Sequence, residues 1–253
     1  MFQKERRQKI IELIQENGNC QVSRLSLLFS VSEQTIRQDL RELEADGMIL
    51  RQHGGACLKR DDFAFSIRVP NRGHEEEKRQ IANIAAEYVE SGNTIILDSG
   101  STVSALANEL TSKKDLTVIT NAINIAITLS QEPTNNVLLI GGEFKGPTLS
   151  LTGTRGIPMF DNIHADKLFL ATGGFDVTVG LSFPSFSDLE LKRAMIHCAR
   201  EVYLLADSSK IGMVKFASLG CLEDIDVLIT DRGIKESDKA MIQAKGIKVV
   251  IAS

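Results

Sequence analysis

Residues 31–44 read Val-Ser-Glu-Gln-Thr-Ile-Arg-Gln-Asp-Leu-Arg-Glu-Leu-Glu, and this stretch predicts an amphipathic helix that starts just after Ser32. Serine is a favourable N-cap residue, and Ile36, Leu40 and Leu43 recur at the spacing of one buried helix face. The opposite face carries polar side chains that can hydrogen-bond to another molecule: Gln34, Arg37, Gln38 and Arg41.

Two further helices and a hairpin are predicted around this helix. Apolar residues recur at helical spacing in segments 10–14 and 22–29, and a tight corner at Ser30-Val31 leads into the third helix. Segments 48–51 and 56–58 predict two short strands around a Gly-Gly turn. Two helices joined by a tight corner and followed by a hairpin are typical of a winged helix-turn-helix. The apolar stripe predicted for the second helix consists of Val22, Leu25, Leu28 and Phe29.

The residue types on the third helix suit base recognition, because Gln pairs with adenine and Arg with guanine through two hydrogen bonds. Thr35 can contact a phosphate or a thymine methyl group, and Arg51 and His53 flank the predicted wing turn. Periodicity alone is explained equally well by a three-helix subdomain with a solvated polar face. The predicted DNA contacts are Ser32, Gln34, Thr35, Arg37, Gln38, Arg41, Arg51 and His53.

The net charge of −4 discourages a nucleic-acid partner, but its distribution does not. Residues 1–60 hold ten Lys/Arg against eight Asp/Glu, a balance of +2, whereas the other residues hold nineteen against twenty-five, a balance of −6. Acidic side chains on the third helix, among them Glu42 and Glu44, weaken the electrostatic case. We expect Asp39 to pair with a nearby arginine rather than to face DNA.

From about residue 78 the chain alternates between short apolar strands and helices. The strands are continuous apolar runs, so both faces of the sheet should be covered by helices in a mostly parallel α/β domain. We expect a DNA-binding domain at 1–58, a linker at 59–76 and an effector-binding domain at 77–253. The predicted strands are 94–97, 116–119, 137–140, 167–170, 202–205, 227–229 and 248–251, and the predicted helices are 102–110, 123–130, 188–198 and 236–244.

Polar or glycine-rich loops follow several of these strands. Main-chain amides and hydroxyls in Asp98–Thr102, between a strand and a helix, can hold a phosphate at the helix N-terminus. Each loop alone is ordinary turn chemistry, but parallel strands bring such loops to one edge of the sheet, where ligands bind. The candidate effector-binding residues are Asp98, Ser99, Gly100, Ser101, Thr102, Thr120, Asn121, Gly141, Gly142, Gly173, Gly174, Asp176, Lys192 and Lys210.

Some of these candidates have an equally good structural explanation. Lys210 can supply a point charge to a phosphate, whereas Lys192 is explained equally well by a solvated helix face. Asp98 and Asp176 can hydrogen-bond to sugar hydroxyls or cap a turn, and for Asp176 the two readings are equally favoured.

Other features of the sequence narrow the class of protein. The start of the chain lacks the apolar stretch of a signal peptide, and no later apolar run is long enough to span a bilayer, so we expect a cytoplasmic protein. The four cysteines show neither CxxC pairing nor metal-ligand spacing with the four histidines. We therefore expect reduced thiols, no metal site and no cofactor.

The motifs together resemble the DeoR family of bacterial transcriptional regulators. In the N-terminal part the resemblance rests on residues 31–44 with Gly47, Arg51 and His53–Ala56. The resemblance implies a winged helix-turn-helix repressor whose C-terminal domain is related to ribose-phosphate isomerases and senses phosphorylated sugars. One departure is Val103, where relatives often carry a second threonine. In the C-terminal part the resemblance rests on Asp98-Ser99-Gly100-Ser101-Thr102, Thr120-Asn121, Gly141-Gly142, Thr172-Gly173-Gly174-Phe175 and Asp207-Ser208-Ser209-Lys210.

The favoured hypothesis is a repressor of operator DNA, controlled by a sugar phosphate and working as a homo-oligomer on repeated half-sites. The alternative is a sugar-phosphate isomerase or deaminase with an appended DNA-binding module, which would need a carboxylate base beside the phosphate loop. A third possibility is a scaffold whose first domain contacts proteins.

Overall fold

The computed structural model describes residues 3–17, 19–45, 49–52, 54–58 and 73–252. The chain divides into two units, Met1–Ile67 and Arg68–Ser253. Within the described ranges, no helix has the length and apolar character needed to cross a membrane.

In its described residues, the N-terminal unit contains three helices and one antiparallel sheet, with strand order β1-β3-β2. Strand β1 is not evident from the sequence, because Asn-Cys-Gln carries no apolar alternation. The elements are α1 (Gln3–Asn17), β1 (Asn19–Gln21), α2 (Val22–Phe29), α3 (Glu33–Ala45), β2 (Ile49–Gln52) and β3 (Gly55–Leu58).

Local hydrogen bonds fix the corner between α2 and α3. Ser30 ends α2 in the left-handed conformation, with φ 52°. The Ser32 hydroxyl oxygen accepts a hydrogen bond from the Thr35 amide at 3.1 Å, so the predicted N-cap is confirmed. In the wing, a Cβ on Gly55 would lie 2.0 Å from the carbonyl oxygen of Cys20, so β1 and β3 can approach only with glycine there.

The core of this unit confirms the predicted inward face of α3, because Ile36, Leu40 and Leu43 are all buried. The stripe predicted for α2 is wrong at one position. Leu28 is exposed, whereas Val22 and Leu25 are buried and Phe29 packs partly buried against the core, as predicted. At about 100° per residue, Val22, Leu25 and Phe29 lie within about 60° of one another around the helix, and Leu28 lies about 60° beyond Leu25, outside this face.

The C-terminal unit is built on a seven-stranded, fully parallel sheet with strand order β15-β14-β12-β9-β4-β5-β6. All seven predicted strands are present in it, with first residues that differ by up to three positions. The strands are β4 (Thr94–Leu97), β5 (Thr117–Thr120), β6 (Asn136–Leu139), β9 (Ala165–Leu170), β12 (Ala199–Leu205), β14 (Val227–Thr230) and β15 (Lys248–Ile251).

Helices cover both faces of this sheet, as the continuous apolar strands predict. Alternate residues of one strand enter different cores: in β9, Leu168 and Leu170 join one cluster and Phe169 the other. The second cluster takes α4, α5 and α6, and the first takes α7 and α8. These helices are α4 (Glu75–Glu87), α5 (Ser101–Glu109), α6 (Ile123–Leu129), α7 (Leu189–Cys198) and α8 (Glu236–Ala244).

Two antiparallel additions to this unit are absent from the sequence prediction. They are the hairpin of β7 (Glu143–Lys145) with β8 (Ser150–Thr152), and a sheet of β10 (Gly174–Asp176), β11 (Gly180–Phe183) and β13 (Ala217–Gly220). These short strands contain polar residues and glycines and form no continuous apolar run, so they lack the signal that predicts the equally short parallel strands. Helix α4 also begins at Glu75, inside the predicted linker 59–76, whose residues 59–72 lie outside the described chain.

Candidate DNA-recognition helix and candidate effector site

The outward face of α3 presents the four predicted base-contacting side chains to solvent. Gln34, Arg37, Gln38 and Arg41 are exposed, and they hydrogen-bond mainly with their own helix. Arg37 pairs with Glu33 at 2.8 Å, and Gln38 donates to Glu42 at 3.0 Å. Exposed pairs of this kind contribute little energy, so these side chains can exchange their partners for DNA.

The two predicted contacts at the start of α3 have a structural role as well. Ser32 is exposed and Thr35 is partly buried, and their hydroxyl oxygens lie 2.8 Å apart. Both side chains therefore stabilise the first turn of the helix, whose N-terminus carries partial positive charge.

The acidic residues of α3 are paired with arginines. Asp39 is buried, and its carboxylate lies 2.6 Å from Arg6 Nε and 3.3 Å from Arg7 Nε, which confirms the expected Asp–Arg pair. Arg7 also contacts Glu42. The two arginines of α1 thus neutralise acids that would otherwise oppose a DNA phosphate.

Of the two DNA contacts predicted in the wing, only Arg51 lies within the described residues. Arg51, on β2, is exposed and pairs with Glu44 at 3.1 Å, so a third acid of α3 is also neutralised. His53 and Gly47 lie outside the described residues.

In the C-terminal unit, the order of strands reverses between β4 and β9. From β4 the chain proceeds outward to β5 and β6, and from β9 it proceeds the other way to β12, β14 and β15. Such a switch point leaves a crevice at the carboxyl ends of its two strands, where α/β proteins bind ligands. Asp98 follows β4 and Ala171 follows β9, so both flank this crevice.

A buried ion pair occupies the floor of the switch point. Lys192 Nζ, from α7, lies 2.5 Å from both carboxylate oxygens of Asp98, and the Ala171 amide donates to Asp98 Oδ2 at 3.1 Å. Lys192 also lies 4.8 Å from the centre of the Phe183 ring. The alternative of a solvated Lys192 is wrong, because this side chain is buried.

The phosphate-loop candidate Asp98–Thr102 forms the N-terminus of α5. Gly100 is the N-cap, with φ 146°, and a Cβ there would lie 2.9 Å from the Cβ of Ala171. Glycine is therefore required both by its backbone conformation and by the close approach of the β9 loop. Ser99 and Ser101 are partly buried, whereas Thr102 is buried.

Residues at the end of β5 and just after β5 and β6 support the β7–β8 hairpin. Thr120 Oγ1 accepts from the Ala122 amide at 3.0 Å, and Asn121 Nδ2 donates to the Leu151 carbonyl at 3.0 Å. A Cβ on Gly142 would lie 2.4 Å from the Thr152 carbonyl oxygen, so this glycine permits the hairpin to pack. Among the described residues, Asn121 Oδ1 is buried without a hydrogen-bond partner.

A second charged group lies at the ends of β12 and β14, and of its members Lys210 is a predicted site residue. Lys210 neighbours Lys78 on α4, a residue absent from the predicted site. Burial lowers the pKa of Lys78, Asp207 opposes this effect, and Lys210 adds to it. Asp231, which is also absent from the predicted site, accepts hydrogen bonds from the Ser208 amide at 2.5 Å and the Ser208 hydroxyl at 2.9 Å.

Other candidates belong to the antiparallel sheet rather than to a free loop. Gly174 opens β10, and a Cβ there would lie 2.5 Å from the Met213 carbonyl oxygen. Asp176 accepts from the amides of Thr178 and Val179 at 2.8 and 3.1 Å, so the structure realises its turn-capping alternative. Gly173 packs against the Ser182 carbonyl and Pro184.

The candidate residues span more of the sheet edge than one small ligand can touch. Four strand spacings separate the end of β12, which precedes Lys210, from the end of β6, which precedes Gly141, or about 19 Å. A single site can unite the residues around β4 and β9 with those of the neighbouring strands. In the described part of the chain, no group of His, Cys, Asp and Glu residues could hold a metal ion.

A winged helix-turn-helix followed by an α/β unit with a switch-point crevice defines the chain as a DNA-binding transcriptional regulator with a sensor domain. Family models match both units: the DeoR-like helix-turn-helix domain over residues 6–61 and the DeoR C terminal sensor domain over residues 73–232. The chain belongs to the DeoR family.

Full-length relatives are named as regulators. The HTH-type transcriptional regulator GolR of Listeria innocua is 39% identical, with 100% of each chain covered. The glycerol-3-phosphate regulon repressor of Escherichia coli K12 is 33% identical, covering 91% of this chain and 92% of the relative. The lactose phosphotransferase system repressor of Streptococcus mutans is 36% identical, covering 99% and 100%. Ribose 5-phosphate isomerase A of Methanocaldococcus jannaschii matches in structure over 55% of each chain, with 18% identity and a TM-score of 0.41.

Proposed function

We propose that this chain is a sequence-specific transcriptional repressor whose operator affinity is modulated by a phosphorylated sugar or a related metabolite bound in the sensor unit. The observation that carries the proposal is the switch-point crevice. There the Gly100 turn and the N-terminus of α5 lie beside the buried Asp98–Lys192 pair. A repressor that binds operator DNA acts in the compartment that holds the chromosome.

The DNA-binding half of the proposal rests on α3. Its outward face is polar and exposed, its inward face is fully packed, and its acids are neutralised from α1 and the wing. We assign base contacts to Gln34, Arg37, Gln38 and Arg41. Ser32, Thr35 and Arg51 are assigned to the phosphate backbone, together with His53.

The effector half rests on chemistry that suits a phosphate and hydroxyl groups. The main-chain amides of residues 100–102 and the hydroxyls of Ser99 and Ser101 suit the phosphate, since helix N-termini attract anions. Lys210 adds positive charge from the neighbouring loop. The buried acceptor Asn121 Oδ1 suits a donor such as a sugar hydroxyl. The names of the glycerol-3-phosphate and lactose phosphotransferase system repressors agree with this ligand class.

We propose binding without catalysis, because three carboxylates of the sensor unit that could serve as the base, Asp98, Asp176 and Glu190, are already engaged. Asp98 is held by Lys192 and the Ala171 amide. Asp176 caps its turn, and Glu190 pairs with Arg193 on the surface of α7. Proton abstraction from a sugar carbon needs a base within hydrogen-bond reach of that carbon's proton.

The first experiment is a thermal-shift screen of the full chain against pentose phosphates, hexose phosphates and glycerol phosphate. A ligand that binds only the folded state raises the melting temperature as its concentration exceeds its Kd. The matched controls are the same sugars without phosphate and inorganic phosphate alone. The proposal expects a shift only with a sugar or polyol phosphate. Equal shifts with inorganic phosphate, or none with any compound, would contradict it.

A further inference from the structure

Three exposed phenylalanines stand on neighbouring loops of the sensor unit. Phe186 is 63% exposed and Phe216 is 77% exposed, and their ring centres lie 5.1 Å apart in an edge-to-face arrangement. Phe144, on β7, is 59% exposed. Single exposed apolar side chains are normal, whereas a contiguous exposed apolar patch is typical of an interaction site. We call this group the apolar patch; it consists of Phe144, Phe186, Met213, Val214 and Phe216.

The loops that carry the patch are tied to one another and to the fold. Lys145 Nζ lies 2.9 Å from Asp188 Oδ2, and the Gly153 amide donates to the Ser187 carbonyl at 3.2 Å. These contacts join the β7–β8 hairpin to the segment that holds Phe186. The Lys215 amide donates to Ser182 Oγ at 2.9 Å, which fixes the segment before Phe216 to β11. The rings are therefore presented by ordered elements.

The exposed area of the patch approaches the apolar share of one side of a stable protein interface. At about 200 Å² for each ring, the three phenylalanines leave roughly 400 Å² in solvent, and Met213 and Val214 add to this. A standard interface buries about 800 Å² on each partner, of which somewhat more than half is apolar. The patch supplies nearly all of that apolar share.

We propose that a second copy of this chain covers the apolar patch. A two-fold interface brings the same surface of both copies together, so that surface must be complementary to itself. The patch is apolar, and the bordering charges Lys145 and Asp188 neutralise each other. The proposed function supplies a reason for pairing, because two copies of α3 can read two half-sites; the assignment of the surface does not otherwise depend on it.

The test is the mass of the full chain in solution, without DNA or sugar phosphate. Sedimentation equilibrium should give at least twice 27.8 kDa for the wild type. The variant Phe186→Ser/Phe216→Ser should weaken self-association by about 30-fold or more, the usual effect of losing a central aromatic contact. Phe216→Ser alone should weaken self-association to a smaller extent. This single variant replaces the double variant in the test if the double variant folds poorly.

The matched control is Leu138→Ser/Leu139→Ser on β6, an exposed apolar pair at the outer edge of the same sheet. It should keep the wild-type mass. A monomeric wild type, an unchanged mass for the patch variants, or dissociation of the β6 variant alone would overturn the proposal. So would a patch variant that keeps its mass and loses the thermal shift with a sugar phosphate, since the rings would then belong to the ligand site. A wild type that self-associates as expected but binds no operator DNA would count against the proposed function instead.

Discussion

Lys192 Nζ lies 2.5 Å from both carboxylate oxygens of Asp98, although 94 residues separate them along the chain. The contact links α7, on one face of the sensor sheet, to the end of β4 at the switch point. Both groups are buried, so each charge depends on the other for its stabilisation.

Removing one member of this pair should destabilise the sensor unit. Lys192→Met should lower the free energy of unfolding by about 3–5 kcal/mol, because the Asp98 carboxylate is left buried and unpaired. Urea denaturation at neutral pH measures the change. The double variant Asp98→Asn/Lys192→Met should recover part of the loss. A single variant as stable as the wild type would show that the pair does not form.

Substitutions on the outward face of α3 should affect DNA binding and not folding. Arg37→Ala or Arg41→Ala should each cost about 1–3 kcal/mol of operator affinity, roughly 5- to 150-fold, if the lost side chain contacts a guanine. Fluorescence anisotropy with operator and unrelated duplexes measures the discrimination. The control Arg79→Ala removes an exposed arginine paired with Glu76 and should change neither value. If neither α3 variant changed the discrimination between operator and unrelated duplexes, α3 would not be the helix that contacts the bases.

The buried Asp39 should contribute to the stability of the N-terminal unit. Asp39→Asn removes the charge that Arg6 and Arg7 share, so we expect a loss of about 3–5 kcal/mol in the stability of the N-terminal unit. Glu33→Gln, which breaks only an exposed pair, should cost less than about 1 kcal/mol. Chemical denaturation followed by circular dichroism distinguishes the two. Equal effects of the two substitutions would mean that burial adds nothing to the Asp39 contacts.

Asp231 should make stability depend on pH in a stated direction. Burial raises its pKa, but hydrogen bonds from Ser208 and Gly233 outweigh burial and hold the pKa below its usual value. Because the folded-state pKa is depressed, the stabilisation is present above the unfolded-state pKa of about 3.9 and is lost as pH falls through the folded value.

The variant Asp231→Asn tests this dependence and the role of Asp231 in holding the turn that carries Lys210. Its stability deficit against the wild type should be largest near neutral pH and shrink below about pH 4. It should also weaken the response to a sugar phosphate, since Ser208 begins the turn that carries Lys210. A deficit independent of pH would contradict the sign of the pKa shift. Glu223→Gln, whose exposed carboxylate pairs with Lys245, provides the surface control.

The large regular elements were predictable from sequence because their signals are local. Seven apolar strands, the inward face of α3 and the Ser32 cap depend on spacing and on the chemistry of single residues. The small antiparallel sheet was not predictable, since it is defined by pairing between strands distant in the chain, such as β11 and β13.

The candidate site was predictable only in part for the same reason. Loop motifs marked Asp98 and Gly100, but the burial of Lys192 depends on how α7 packs, which its own sequence does not reveal. Lys78 follows three consecutive glutamates, which suggests a solvated helix start, yet it is buried near Asp207. Asp231 carried no motif, because its role is to hold another loop.

The most direct test of the account is operator affinity of the full chain measured with and without a sugar phosphate that raises its melting temperature. An operator can be selected from fragments of the source chromosome. A coupling of about 1–3 kcal/mol predicts a change of roughly 5- to 150-fold in the Kd for operator, and Ser101→Asp should abolish that change while operator binding without effector stays intact. An operator Kd that is the same at zero and saturating effector would contradict the central claim.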